Sequence, residues 1–165
     1  MKAKQFVDYL NSLIPSSTNG MAKEILKKMK IEPQAHPTSY NDELSALINN
    51  YEMDGIEIGM ISFLGLYKIT DDHYIFGNIE MDFIGFDKNT REIVLLDHDE
   101  IAFVMMKCAK DSISFLKVLK RYSEYTIRRL LNEEVTAINS SLIYSEAGGL
   151  EYKSFIDLLF YPAIG

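Results

Sequence analysis

The chain has 165 residues, of which 47% are hydrophobic, and a formal net charge of −7. This length and composition are sufficient for an ordinary domain core, so the sequence predicts one folded domain over residues 1–165 and argues against intrinsic disorder. Cys108 is the only cysteine, which excludes an internal disulfide and is typical of a reducing compartment, so we expect a cytoplasmic protein. The longest uncharged apolar run, at 58–67, is about half of what a membrane span requires.

Three amphipathic helices are predicted in the first third of the chain. In the first helix, Phe6, Leu10 and Leu13 recur at spacings of four and three residues, and Pro15 ends the pattern. Apolar residues between Ala22 and Met29 indicate a short second helix. A third helix is predicted over about 41–51.

Short apolar runs in the middle of the chain predict one antiparallel sheet. The runs cover residues 56–64, 74–76, 83–86, 92–96 and 101–106. The polar loop 87–91 lies between two of them, which is typical of a β-hairpin. The last run is apolar on both faces, so we expect it to form a central strand.

Helices are predicted again after the strands. Asp111 is a favourable N-cap residue, and we expect a long amphipathic helix to begin after it and pack on the sheet. Cys108, just before this helix, is expected to be buried and unreactive. The helical pattern continues through Leu131, Val135, Ile138 and Leu142, breaks at Gly148-Gly149, and resumes in a last helix around 152–159. Helices, antiparallel strands and helices in this order predict an α+β fold.

The negative charge is concentrated in residues 71–100. This segment has nine acidic and two basic residues, a charge of −7, whereas residues 1–70 and 101–165 carry −1 and +1. An acidic surface repels phosphate backbones and attracts basic proteins, so we expect a protein partner and no nucleic acid. The candidate partner-binding residues are Asp71, Asp72, Glu80, Asp82, Asp87, Asp97, Asp99 and Glu100. A solvated surface without a partner is the alternative interpretation.

The segment Asp97-His98-Asp99-Glu100 is the strongest candidate for catalysis. Carboxylates and an imidazole can bind a divalent cation or transfer protons. Four polar residues between two strands more often form a turn, and no pair of His or Cys residues has metal-ligand spacing. We therefore expect a turn, no metal or cofactor, and no enzymatic activity. A metal-dependent enzyme using the carboxylates near His98 is the alternative.

Several stretches between residues 74 and 119 form a recognisable series. They read Tyr74-Ile75-Phe76-Gly77, Phe83-Ile84-Gly85-Phe86-Asp87, Lys88-Asn89-Thr90-Arg91, Glu92-Ile93-Val94-Leu95-Leu96 and Asp111-Ser112-Ile113-Ser114-Phe115-Leu116. In this order they resemble the SUKH superfamily of bacterial immunity proteins and related glucan-synthesis regulators. The family often has glycine after the turn threonine, where this chain has Arg91.

The resemblance implies a mixed, mainly antiparallel sheet that is packed by N-terminal and C-terminal helices. It also implies a protein without enzymatic activity that binds a toxin domain in trans. Many toxins neutralised by such proteins are nucleases, which tend to be basic, and the acidic segment 71–100 is compatible with such a partner. The leading hypothesis is an immunity protein for a cognate bacterial toxin. A regulatory or scaffolding domain of the same fold is the alternative.

Overall fold

The computed structural model describes residues 1–17, 20–134 and 138–163. In these residues three helices precede six consecutive strands and the remaining helices follow them, which is the segregated order of an α+β fold, so the predicted class is confirmed. The helices are Ala3–Leu13 (α1), Met21–Lys28 (α2), Glu43–Asn50 (α3), Ser112–Leu130 (α4), Ser140–Ala147 (α5) and Lys153–Phe160 (α6), with a 3-10 turn at Leu150–Tyr152. The strands are Glu57–Ile58 (β1), Ile61–Ile69 (β2), His73–Ile79 (β3), Asp82–Asp87 (β4), Ile93–Leu96 (β5) and Val104–Ala109 (β6). None of the described helices is both long and apolar enough to cross a bilayer.

The six strands form one sheet in chain order, from β1 at one edge to β6 at the other. All five neighbouring pairs of described strands are antiparallel, so this sheet contains no parallel pair. Phe83 pairs with Leu96 and Phe86 with Ile93, which confirms the predicted hairpin around loop 87–91. In such a meander, successive turns between strands lie at opposite ends of the strands. The β3–β4 and β5–β6 turns therefore lie at one end of the sheet, and the β2–β3 and β4–β5 turns lie at the other.

Two strands differ from their predicted positions. β2 does not stop near Gly65 but continues to Ile69, with a shift in its pairing to β3 between Phe63 and Lys68. The last strand begins at Val104 and lies at the edge of the sheet, so the prediction of a central strand at 101–106 is wrong. The first apolar residues of this strand are exposed rather than buried: Val104 is 38% and Met105 42% exposed, and Phe103, just before the strand, is 56% exposed. Periodicity detects apolar faces but does not detect what covers them.

The helical pattern predicted after residue 130 is interrupted. α4 ends at Leu130, and Asn132 has a φ of 55°, in the left-handed region that asparagine tolerates better than most residues. Helix α5 starts at Ser140, where the Asn139 side chain accepts a hydrogen bond from the Leu142 N–H. Val135, which belonged to the predicted pattern, lies outside the described residues.

The main core lies between one face of the sheet, the inner face, and the helices. The predicted packing of the helix after Asp111 is confirmed: Phe115 of α4 contacts Phe76 of β3 edge to face, with ring centres 5.5 Å apart. The Asp111 carboxylate caps α4 by accepting the Ser114 N–H at 2.7 Å. Cys108 is fully buried in the same core, as predicted, and burial raises the pKa of its thiol. Its lack of reactivity stays a prediction.

The opposite face of the sheet, the outer face, has a separate and smaller apolar cluster. Ile75, Val94 and Leu96 are buried there. Within the described residues their cover comes from Leu64, Phe83 and Ile101 rather than from a helix. The sheet therefore has one face packed by helices and one face covered only by its own strands and loops.

Candidate functional site

The predicted partner-binding residues divide between the two ends of the sheet. Asp82 begins β4 and Asp87 ends it, a distance of five residues or about 17 Å along a strand. We call the turns β3–β4 and β5–β6 the acidic end, which contains Glu80, Asp82, Asp97, Asp99 and Glu100. We call the turns β2–β3 and β4–β5 the mixed end, which contains Asp71, Asp72, Asp87, Lys88 and Arg91. The eight predicted acidic residues therefore do not form one face.

Asp82 and His98 connect the two turns of the acidic end. His98 Nδ1 lies 2.9 Å from Asp82 Oδ1, and the His98 backbone N–H donates to the same oxygen at 3.3 Å. His98 Nε2 lies 3.5 Å from the Asp99 carboxylate. The single imidazole of His98 contacts two of the five carboxylates of the acidic end. Because one imidazolium can offset only one negative charge, the acidic end stays strongly negative.

Asp97 shapes the turn after β5. Its Oδ1 accepts the backbone N–H groups of Asp99 at 2.8 Å and Glu100 at 3.0 Å. These hydrogen bonds stabilise the carboxylate and lower its pKa. The predicted turn is therefore confirmed, and it directs the Asp99 side chain into solvent with 89% exposure.

The same turn is where metal ligands would have to be found. Asp97, His98 and Asp99 each offer one possible ligand atom, and these three atoms lie within 4.8 Å of one another. The Asp97 oxygen in the turn already accepts two backbone hydrogen bonds, and Asp99 is exposed. Exposed carboxylates that accept backbone hydrogen bonds in a turn commonly lie this close together without binding a cation.

The titration of His98 tests this arrangement. The hydrogen bond to Asp82 favours the imidazolium and raises the pKa of His98 above its usual value, so Asp82→Asn should lower that pKa. Because the folded-state pKa is the higher one, the stabilisation is complete below the unfolded-state pKa and is lost as pH rises through the folded-state value. The measurement is an NMR titration of the His98 ring protons. Asp71→Asn at the mixed end should not affect them, and an identical His98 titration in Asp82→Asn would contradict the geometry.

The mixed end is partly neutralised by a lysine. The Lys88 ammonium donates to the backbone carbonyls of Thr70 and Asp71, the latter at 3.0 Å. The Lys88 backbone N–H also donates to the Asp72 carbonyl at 2.9 Å. These contacts connect the β4–β5 turn to the β2–β3 turn and place a cation beside two exposed carboxylates.

Asp87 has a structural role within its own turn. Its carboxylate accepts the N–H groups of Asn89 at 2.8 Å and Thr90 at 2.7 Å. Burial opposes its ionisation, but these hydrogen bonds outweigh burial and lower the pKa of Asp87. The carboxylate is thus turned toward the protein and is a poor candidate for contacting a partner.

Arg91 has a backbone conformation that favours glycine. Its φ of 68° lies in the left-handed region, which glycine adopts at little cost. The guanidinium lies 4.3 Å from the Phe86 ring centre and 3.7 Å from the Asp42 carboxylate, so it contacts the sheet and the N-cap of α3. Arg91 therefore adopts a backbone conformation that glycine adopts more easily, and its side chain is held by contacts with Phe86 and Asp42.

Four exposed apolar residues that the sequence prediction missed, which we call the apolar strip, lie at the same end of the sheet as the acidic end. The strip consists of Met81 in the β3–β4 turn, Phe103 before β6, and Val104 and Met105 in β6. Met81 is 68% exposed and Phe103 is 56% exposed. Phe103, Val104 and Met105 belong to the apolar run 101–106, which the sequence analysis interpreted as a central strand and not as an exposed surface. Exposed apolar residues next to charged residues are a common composition of protein interaction surfaces.

No family model, curated protein or solved structure matches this chain. The function must therefore be argued from the residues and their geometry.

Proposed function

We propose that this protein is an immunity protein that binds and neutralises a basic bacterial toxin domain through the acidic end and the adjacent apolar strip. The observation that carries the proposal is the placement of five carboxylates and four exposed apolar residues at one end of the sheet. The resemblance of residues 74–119 to SUKH immunity proteins supports the same function. The proposal includes no metal, cofactor or catalytic residue.

The two parts of this surface would contribute differently to binding. A concentration of negative charge attracts a basic partner and speeds the encounter, while exposed rim charges add little to the final affinity. Apolar side chains such as Phe103 and Met81 can enter pockets of the partner and lose contact with water there. A basic nuclease that uses Lys and Arg to grip phosphate presents a complementary surface. Occupying these groups would block its access to nucleic acid.

Co-expression with the product of the neighbouring gene tests the proposal. If that product is the cognate toxin, the immunity protein should restore growth of cells that the toxin arrests and should co-purify with it in a stable complex. A catalytically inactive toxin serves as the control, because it should form the complex without arresting growth. A neighbouring product that is not toxic but binds stably would instead favour a regulatory or scaffolding domain. Toxicity without rescue or complex formation would contradict the assignment of that pair.

A further inference from the structure

An open apolar groove lies among the helices and shares no lining residue with the acidic end. It has a volume of about 430 Å³ and is lined by α2, α4, α6 and the β1–β2 turn. Ile25, Leu130 and Leu158 provide aliphatic surface, and Tyr161 provides an aromatic side chain. Ile25 is 38% and Tyr161 76% exposed, so apolar area remains in water that a ligand would cover.

One side of the groove is fixed by a close contact between a glycine and a tyrosine. The Met60 N–H donates to the Tyr122 hydroxyl at 3.0 Å. A Cβ at Gly59, whose φ is 59°, would lie only 2.3 Å from this hydroxyl oxygen. Gly59 thus allows the turn to approach the ring of Tyr122, and this contact fixes one wall of the groove. Grooves with apolar walls and few polar groups are typical of small-molecule sites.

Arg129 places a positive charge at this apolar surface. Its Nη1 donates to the Tyr125 hydroxyl at 3.0 Å, which orients the guanidinium. Among the carboxylates that the structure describes, none lies within 4 Å of Arg129, whereas the neighbouring Arg128 pairs with Glu124 at 3.0 Å. Arg129 therefore has hydrogen-bond donors that a carboxylate ligand can use.

We propose that this groove binds a medium-chain aliphatic carboxylate, with the head group on Arg129 and the alkyl chain along the aliphatic wall. The charge of the guanidinium selects an anionic head, and the apolar lining selects a hydrocarbon tail. None of the lining residues belongs to the acidic end or the apolar strip, so ligand binding can be measured without a toxin partner. Each feature of the proposal can be removed separately.

Calorimetric titration with laurate below its micelle concentration tests the proposal. Wild-type protein should bind laurate at one site, and affinity should rise about fourfold per methylene from octanoate through decanoate to laurate, which corresponds to about 0.8 kcal/mol per buried CH₂. Arg129→Gln should weaken laurate binding about tenfold or more, since a charge-assisted hydrogen bond is lost. The same variant should bind uncharged decanol as the wild type does.

Arg128→Gln is the matched control, because it removes the same charge one residue away and should leave laurate binding unchanged. Ile25→Glu should abolish laurate binding by placing a carboxylate in the groove. The proposal is overturned if laurate does not bind saturably. It is equally overturned if Arg129→Gln and Arg128→Gln have the same effect on laurate affinity.

Discussion

Replacing Phe76 with alanine is expected to lower the free energy of unfolding by about 3–5 kcal/mol. Phe76 is fully buried on the inner face of the sheet, where its ring centre lies 5.5 Å from that of Phe115 and 6.1 Å from that of Phe63. Removal of the ring therefore leaves a cavity between β3 and α4 that the sheet cannot close. Urea unfolding monitored by circular dichroism measures the change.

The matched control is Phe103→Ala, which removes the same side chain from a position that is 56% exposed. This variant should change stability by far less, because little apolar area leaves the core. A double-mutant cycle between Phe76 and Phe115 should show a coupling of about 0.5–1.5 kcal/mol for the edge-to-face pair. Equal losses of stability in Phe76→Ala and Phe103→Ala would show that α4 does not pack on β3 as described.

Replacing Gly77 with alanine is expected to destabilise the protein by about 1–3 kcal/mol, although only one methyl group is added. A Cβ at residue 77 would lie 2.4 Å from the backbone carbonyl oxygen of Ser62 in β2. Because this atom belongs to the backbone of the neighbouring strand, the strands must move apart. The pairing of β3 with β4 also shifts between Ile75 and Gly77, a local irregularity that glycine often marks within a strand.

Gly85→Ala is the control for this substitution, since Gly85 lies on the adjacent strand β4. A Cβ there would have its nearest neighbours at 3.4 Å, an ordinary contact distance. Thermal unfolding of both variants should show a large loss of stability for Gly77→Ala and a small change for Gly85→Ala. The reverse order would contradict the packing of β2 against β3.

Local sequence signals predicted the elements whose structure depends on nearby residues. Asp111 marked the start of α4 because its carboxylate can reach an N–H three residues later, and the structure contains that bond. Loop 87–91 predicted a hairpin because polar turn residues separated two apolar runs. Both features are fixed within a few residues and need no knowledge of the rest of the chain.

Features that depend on distant contacts could not be predicted in this way. The position of β6 at the sheet edge depends on which strands pair, and an apolar run alone does not reveal its neighbours. The division of the acidic segment into two ends follows from the meander, because successive turns lie at opposite ends. Asp82 and His98 are brought together only by the pairing of β4 with β5. The groove beside Arg129 requires three helices and a turn to meet.

The most direct test of toxin binding is the association rate of two charge-reversal variants with the toxin domain. Asp99→Lys with Glu100→Lys alters the acidic end, and Asp71→Lys with Asp72→Lys makes the same change in charge at the mixed end. Stopped-flow measurements at low salt should show association slowed at least about tenfold for the acidic-end variant, with the difference shrinking as salt is added. The mixed-end variant should associate nearly as fast as wild type. Equal rates for the two variants would contradict docking at the acidic end.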